Sequence, residues 1–493
     1  MTLSSGRRQG VLGIDLGTSS VKAVVTDPGG AVIGQASRPY TVLHPQAGWS
    51  EIDPNEWLAA TIVAVRHAVD SCAHPDIIAI GLSGQMHGLV ATNDAGAAVR
   101  EAMLWSDARA MPQLELYAQL PPAVHARLAN PLTAGMAGPM LAWLRTEEPA
   151  TYRQTRWALQ PKDWVRAQLT GQYWTEPSDA SATLLYDLST DYWDPDVVRA
   201  LGIDPDLLPD LLPYAAHPAG TLTPEGANLL GLAEGTIVAA GAGDTAAAAL
   251  GSGLHEANTA QVTIGSGAQI IIPVPSLDDR SMPDRPATHL YRSATRHGWY
   301  AMAAMVNAGT SLDWVRQTLN ASWAEVYGAA TAVPAPDDPI FLPHLSGERT
   351  PHLDPVMRAS WTGLAPHHSR QHLLHAALEG LALSIRDGLH ALPAADTVKH
   401  LRLAGGGTTE PAWRQMLADV LDVPLHIADV SSASGRGAAL LAAQAADLTT
   451  EADIFARHHT TAGPVINPRP GRSDYYLQRY DRYLHRLHAL RAT

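Results

Sequence analysis

The chain of 493 residues is long enough for two or three domains, each with its own core. Its 34 basic and 48 acidic residues give a formal net charge of −14, which argues against a nucleic-acid surface built on a basic patch but leaves phosphate binding by local backbone donors open. A single cysteine, Cys72, excludes an internal disulfide framework and any cysteine-built zinc or iron–sulfur site.

Few thiols, no apolar signal region in residues 1–9 and no apolar run of membrane-span length lead us to expect a cytoplasmic protein with no membrane partner. Val11-Leu12-Gly13-Ile14-Asp15 reads as a buried strand, residues 16–20 as a tight turn and residues 21–27 as a second strand. Pro28-Gly29-Gly30 turns the chain into a third strand over 31–37, so an antiparallel meander is predicted. Residues 55–71 carry polar groups early and apolar ones at three- and four-residue spacing, the signature of a helix. The apolar run Ile77-Ile78-Ala79-Ile80 predicts the next strand. It runs into Gly81-Leu82-Ser83-Gly84-Gln85-Met86-His87-Gly88. A polar, glycine-flanked Gln-Met-His straight after a buried strand belongs at a ligand crevice.

A similar plan recurs. Residues 259–267 read as strand and turn, 373–389 as an amphipathic helix, 399–404 as a strand and 411–421 as a helix. Two related halves meeting near Gly253 are therefore expected. The Pro/Asp-rich stretches 273–286 and 333–339 read as loops. From Ser473 onward, Tyr475, Tyr476, Tyr480 and Tyr483 predict a packed helix to which no chemistry is assigned.

No GxxxxGK[ST] motif and no GxGxxG after a strand occur, which removes the P-loop and dinucleotide fingerprints. Three other glycine-rich turns follow predicted strands: Gly17-Thr18-Ser19-Ser20, Gly265-Ser266-Gly267 and Gly405-Gly406-Gly407-Thr408. Glycines let backbone N–H groups approach phosphates, and hydroxyls add donors, although each turn alone is also an ordinary turn. Asp15 ends a strand beside the first of them, as a turn former or as a holder of hydrated Mg²⁺. Lys22 reads as a solvent-exposed strand lysine that could reach phosphate.

The segment Ile237-Val238-Ala239-Ala240-Gly241-Ala242-Gly243-Asp244-Thr245 ends a strand in glycines and an aspartate, then enters a small-residue helix. Asp244 is either an N-cap or a general base for a hydroxyl that attacks a phosphoryl group. His368, His372, His375 and Glu379 fall on one face of the predicted helix at a spacing that would ligate zinc, though the His-Glu-x-x-His arrangement is missing.

Taken in order, these motifs resemble the FGGY carbohydrate kinases, and Gln85-Met86-His87 resembles the substrate signature of their xylulose-phosphorylating branch. The resemblance runs from about Leu12 to Ala443. It implies an α/β fold of two actin/hexokinase-like (ribonuclease H-like) domains with a nucleotide cleft between them. The implied division is a sugar-binding domain at 1–250 carrying the catalytic aspartate, a nucleotide-binding domain at 251–450 and a helical tail at 451–493. By the same resemblance, the first two glycine turns hold ATP phosphates, the third borders adenosine, and Asp244 is the catalytic base with Thr245 beside it. Met86, His87, Gln85, Asp244 and Thr245 contact the sugar, and Asp15 holds Mg²⁺ through water. Trp105-Ser106-Asp107-Ala108-Arg109 looks like the family's Trp-x-Asp-x-Arg, whose Asp107 and Arg109 bond the sugar or each other. Pro161-Lys162-Asp163-Trp164 fits too, and Asp179-Ala180-Ser181 resembles a turn near the sugar. Leu345-Ser346-Gly347-Glu348-Arg349-Thr350-Pro351-His352 is a strong family string with no assigned step. In two segments the chain departs from the family pattern. Ala242 and Thr245 stand where Gly and Asn are usual, and Gly138-Pro139-Met140 stands where Ala-Pro-Lys is expected. The implied activity is ATP-dependent phosphorylation of D-xylulose, with ribulose, another ketose or a polyol as rival acceptors. A non-catalytic actin-like nucleotide-binding protein and a metallohydrolase on the histidine helix are readings from other classes. A homodimer is compatible with all of them.

Overall fold

The predicted opening meander forms as β1 (Gln9–Leu16), β2 (Ser20–Thr26) and β3 (Val32–Pro39), each antiparallel to the next. The computed structural model describes residues 8–278, 281–332, 335–428, 431–458 and 464–491. Helix α1 (Pro54–Asp70) starts one residue earlier than the sequence pattern suggests. Asp53 caps it by accepting from the Asn55 N–H, and proline costs nothing at the first helical position, where the N–H would be unsatisfied anyway. Its buried stripe, Trp57, Thr61, Ala64, Val65 and Ala68, lies on the sheet. The next strand, β4 (Asp76–Gly84), runs parallel to β1.

A long excursion follows, containing α2 (Pro161–Thr170) and α3 (Pro177–Ala180). The chain then returns through β5 (Pro218–Thr221), β6 (Ile237–Ala239) and the short β7 (Ala242–Gly243) into helix α4 (Asp244–Ser252). The first sheet has the order β5-β6-β4-β1-β2-β3, with β7 also on β4. Strands β6 and β7 run parallel to β4.

The second half repeats this plan. Strands β8 (Thr259–Ile264), β9 (Ala268–Val274), β10 (His289–Arg292) and β11 (Trp299–Met305) form its meander. Helices α5 (Gly309–Thr318) and α6 (Arg370–His390) follow, then β12 (His400–Ala404), α7 (Pro411–Leu421), β13 (Leu425–Ile427) and α8 (Ala433–Ala445). Its sheet order is β10-β11-β9-β8-β12-β13 with β14 (Val465–Ile466) at the edge. The loop expected from residue 273 begins only after Val274. Pro273 pairs with Tyr300 of β11 beyond the last β8 partner, Gln261 opposite Ile271, so its missing N–H faces no neighbour. Residues 279, 280, 333 and 334 of the two expected loops lie outside the described residues, as do 1–7 of the amino-terminal segment.

Helices α4 and α8 hold corresponding places in the two halves and cross at the hinge. The crossing depends on residues without side chains: a Cβ on Gly437 would lie 1.9 Å from the Ala247 carbonyl oxygen, and one on Gly251 would lie 2.0 Å from that of Ala433. Helix α8 also packs on the first sheet, where a Cβ on Gly81 would lie 2.0 Å from the Ala438 carbonyl oxygen. Helix α9 (Glu451–His458) follows, and α10 (Ser473–Arg491) forms as expected. Tyr476, Tyr480, Tyr483 and Leu487 of α10 enter the second core, and Arg479 forms a buried ion pair with Glu379. Among the described residues no helix is long and apolar enough to cross a membrane.

Candidate active site

Three parallel strands end side by side. The register sets Asp15 of β1 and Ala242 of β7 opposite Ser83 of β4, and the Ser83 hydroxyl donates to Asp15 Oδ1 at 3.0 Å. Two residues beyond Ala242, Asp244 is the first residue of α4. The N-cap position belongs to Gly243, so the simple capping role considered for Asp244 is not the one it fills. Its Oδ1 accepts from the Thr245 N–H at 2.6 Å and from the Thr245 hydroxyl at 3.2 Å. Burial, and then the charge of Asp15, push the Asp244 carboxyl up to about 6. Burial also raises Asp15, with Ser83 and Lys22 opposing.

Beside Asp244 lies the Gln85-Met86-His87 turn, whose members do different work. Gln85 donates from its backbone to the Leu16 carbonyl at 2.8 Å and from Nε2 to that of Gly17 at 3.4 Å. It braces the first glycine turn, and its Oε1 is left buried without a hydrogen-bond partner. Met86 packs so tightly on Gly243 that a Cβ there would lie 2.7 Å from Met86 Cγ. His87 has a left-handed φ of 78°, which turns its ring back towards Ala182. A carbonyl can only accept, so His87 Nδ1 donates to Ala182 O at 2.8 Å, and Nε2 keeps a free lone pair. Burial drives the ring down to about 4, so it is neutral at pH 7.

Asp179 also faces this place. A Cβ on Gly243 would lie 3.2 Å from Asp179 Oδ1, and both carboxylate oxygens are buried without a hydrogen-bond partner. Burial raises its pKa to about 8; Asp163 and Glu176 add to this and Lys162 opposes it. Lys162 Nζ sits at ion-pair distance, 3.0 Å, but not in hydrogen-bonding alignment. A polyhydroxylated ligand, which both donates and accepts, would supply the missing partners.

The second half completes the wall with residues that the sequence did not single out. The Tyr300 hydroxyl donates to Met86 Sδ at 3.6 Å, the Tyr291 ring lies 5.9 Å from the His87 ring, and Gln269 Nε2 reaches the Thr245 hydroxyl at 3.5 Å. The unassigned Arg349 adds its charge to the depression of His87. Asp107 is different: both its oxygens accept from Arg109, at 2.9 and 2.7 Å, and one also accepts from the Ser50 N–H. The pairing reading of these two residues is the one the structure adopts, and Asp107 is not presented to the crevice. Trp105 instead donates to the Thr18 hydroxyl at 3.1 Å.

Of the glycine turns, 17–20 joins β1 to β2 with Thr18 and Ser19 exposed, and Gly17 donates to the Ser20 carbonyl at 3.1 Å. Gly265 and Ser266 are exposed between β8 and β9, and their carbonyls accept from Gly309 and Thr310 at the start of α5. Gly405 turns with φ 95° after β12, followed by a short 3₁₀ turn at Gly406–Thr408. β8 and β12 are parallel neighbours, so the second and third turns emerge together at their carboxyl ends. Met140 is buried in the apolar core, where no lysine contact is possible.

The histidine face does not come together as one ligand set. His368 precedes the helix, His372 Nδ1 caps it by accepting from the Ser369 N–H, and His375 Nδ1 donates to the Ala329 carbonyl. Glu379 is committed to Arg479. Among the described residues no group of three or more metal-ligating side chains occurs.

Two mixed sheets joined through crossed helices, with an aspartate and three glycine turns at the strand ends, define the two-domain actin/hexokinase-like class of α/β protein. Residues 10–251 match the N-terminal domain of the FGGY family of carbohydrate kinases and residues 273–446 its C-terminal domain, and the chain belongs to that family. It is 31% identical over 482 residues to a xylulose kinase of Bacillus subtilis, covering 96% of this chain and 95% of that one. It is 34% identical over 441 residues to a xylulose kinase of Escherichia coli, covering 89% of each. The crystal structure of a xyloylose kinase from Brucella ovis superposes with a TM-score of 0.90 at 32% identity, covering 98% of this chain and 99% of that one.

Proposed function

We propose that the chain transfers the γ-phosphoryl group of ATP to the 5-hydroxyl of D-xylulose, giving D-xylulose 5-phosphate and ADP in the cytoplasm. The observation that carries this reading is Asp244: a carboxylate raised to about 6, at the end of a parallel strand, beside Met86 and Asp179. The sugar lies against Met86 and the free His87 Nε2, with hydroxyls on Asp179. Asp244 takes the proton of the attacking hydroxyl as the oxygen–phosphorus bond forms, and ADP leaves with the electrons of the broken bond. Residues 1–250 carry the sugar and the base. Residues 251–450, with the turn at 17–20, take the nucleotide, and α10 packs into the second core.

Mg²⁺ fits Asp15. The charge of Asp15 raises the proton affinity of Asp244, and a divalent cation at Asp15 would relieve that repulsion. When bound, it supplies charge neutralisation at the phosphates, held through water by Asp15.

The sugar assignment is tested by kcat/KM across D-xylulose, D-ribulose and glycerol, with D-xylulose expected highest. A higher value for either rival overturns it. His87→Ala removes one neutral acceptor and should cost about 1–3 kcal/mol in kcat/KM, appearing mainly in KM. For the nucleotide, Gly406→Trp is informative because nothing lies within 4 Å of a Cβ there. The variant should fold normally and bind ATP more weakly. Unchanged ATP affinity in a titration would remove Gly406 from the adenosine site.

A further inference from the structure

A second cavity, of about 800 Å³, lies at the other end of the hinge. It opens where the β2–β3 turn, the carboxyl end of α4 and the flank of α8 meet the first residues of β8 and β12. The glycine turns leave the opposite ends of β8 and β12, so this cavity is separate from the candidate active site.

Its lining is basic in an acidic protein. Arg402, Arg436 and Arg457 contribute, with His400 and His426, and Glu256 is the one acidic residue among the described residues that line it. The chain as a whole carries −14. Each lobe supplies part of the wall. Arg402 projects from β12 and donates to the Ser252 carbonyl at the end of α4, and Arg457 donates to the Gly29 carbonyl of the β2–β3 turn at 2.6 Å. The His400 and His426 rings stand edge to face at 5.7 Å. Burial holds Arg402 below the usual guanidinium range, against the pull of Glu256. Burial, then His400 and Arg402, hold His426 below the usual imidazole range. Arg402 is thus a partly desolvated cation at the cavity wall, a state that a bound anion relieves.

We propose that this hinge cavity binds a small organic phosphate of sugar-phosphate size, held by Arg402 and Arg436, as a site distinct from catalysis. Guanidinium forks match phosphate oxygens in pairs, and the volume falls in the range of small-molecule sites. Because the walls come from both lobes, a bound phosphate favours one lobe arrangement. It therefore changes turnover if the crevice reaction depends on closure. That regulatory consequence rests on the kinase reading above, whereas binding does not.

The test uses calorimetric titration of the full chain with D-ribose 5-phosphate and, separately, inorganic phosphate. The expected result is saturable binding of D-ribose 5-phosphate that persists under saturating D-xylulose and a non-hydrolysable ATP analogue. Affinity should fall about tenfold or more in Arg436→Gln and in Arg402→Gln. Arg436 is only part-buried, so its variant should keep wild-type turnover without added phosphate, which verifies folding. Equal binding of inorganic phosphate would assign the site to the free ion and overturn the organic-phosphate claim. No binding, competitive displacement by D-xylulose, or unaltered affinity in both variants overturns the site itself.

Discussion

Lys162→Met is expected to lower the stability of the fold by about 3–5 kcal/mol. Lys162 Nζ lies 2.7 Å from Asp163, 3.0 Å from Asp179 and 3.3 Å from Glu176, and none of these four side chains has exposed surface. Burial alone would lower the lysine pKa; the three carboxylates outweigh it and hold the ammonium charged. Arg166 is the second cation, 2.6 Å from Asp163. Two cations against three carboxylates leave one excess negative charge, which a proton on Asp179 removes. Methionine fills the stem of the lysine but strands carboxylates in a dry interior. Denaturant unfolding should show an earlier first transition. Adding Asp179→Asn should restore part of the loss, because an amide stays neutral beside Asp163 and Glu176 without having to take up a proton. The pH dependence has a definite sign. In the variant the carboxylates titrate higher when folded than when unfolded, so the deficit narrows as pH falls and widens as it rises. An unfolding midpoint equal to wild type would mean that the cluster contributes nothing to holding α2 and α3 beneath the sugar site.

Local chemistry made much of this molecule readable. Apolar runs broken by glycine turns marked β1, β4, β8 and β12, because strands and turns are set by neighbouring residues. The three glycine turns and Asp244 were legible for the same reason. The pairings that cross the chain were not. Tyr291 and Tyr300 face each other on the neighbouring strands β10 and β11 of the second half, and nothing near them in sequence says that they meet His87 and Met86. Gln85 was marked out by position, but its reach to the Gly17 carbonyl depends on β1 lying beside β4 and could not be read from the chain. Asp107 and Arg109 satisfied one another, a choice that their spacing alone left open. The histidine face had ligand spacing, yet capping and the distant Arg479 claimed its members. The alanine- and glycine-rich helices α4 and α8 read as weakly patterned helices. Their lack of side chains is what lets them cross backbone to backbone.

Asp244→Asn should reduce kcat by roughly 10²–10⁴ while leaving ATP affinity nearly unchanged. Asparagine keeps the shape and still accepts from the Thr245 N–H, so α4 retains its start. What disappears is an oxygen basic enough to take the hydroxyl proton. The wild-type pH profile offers an independent check. Burial and Asp15 together place the carboxyl at about 6, and the base works only when ionised. kcat/KM should therefore be flat near neutrality and fall about tenfold per pH unit below that value. Opposite charge near Asp15 lowers the Asp244 pKa, so raising Mg²⁺ should move the acidic limb to lower pH. A pH-rate profile at two Mg²⁺ concentrations, with the Asn variant alongside, reads all three effects. Near-native turnover in folded Asp244→Asn would sink the assignment. The proton would then have to leave through water.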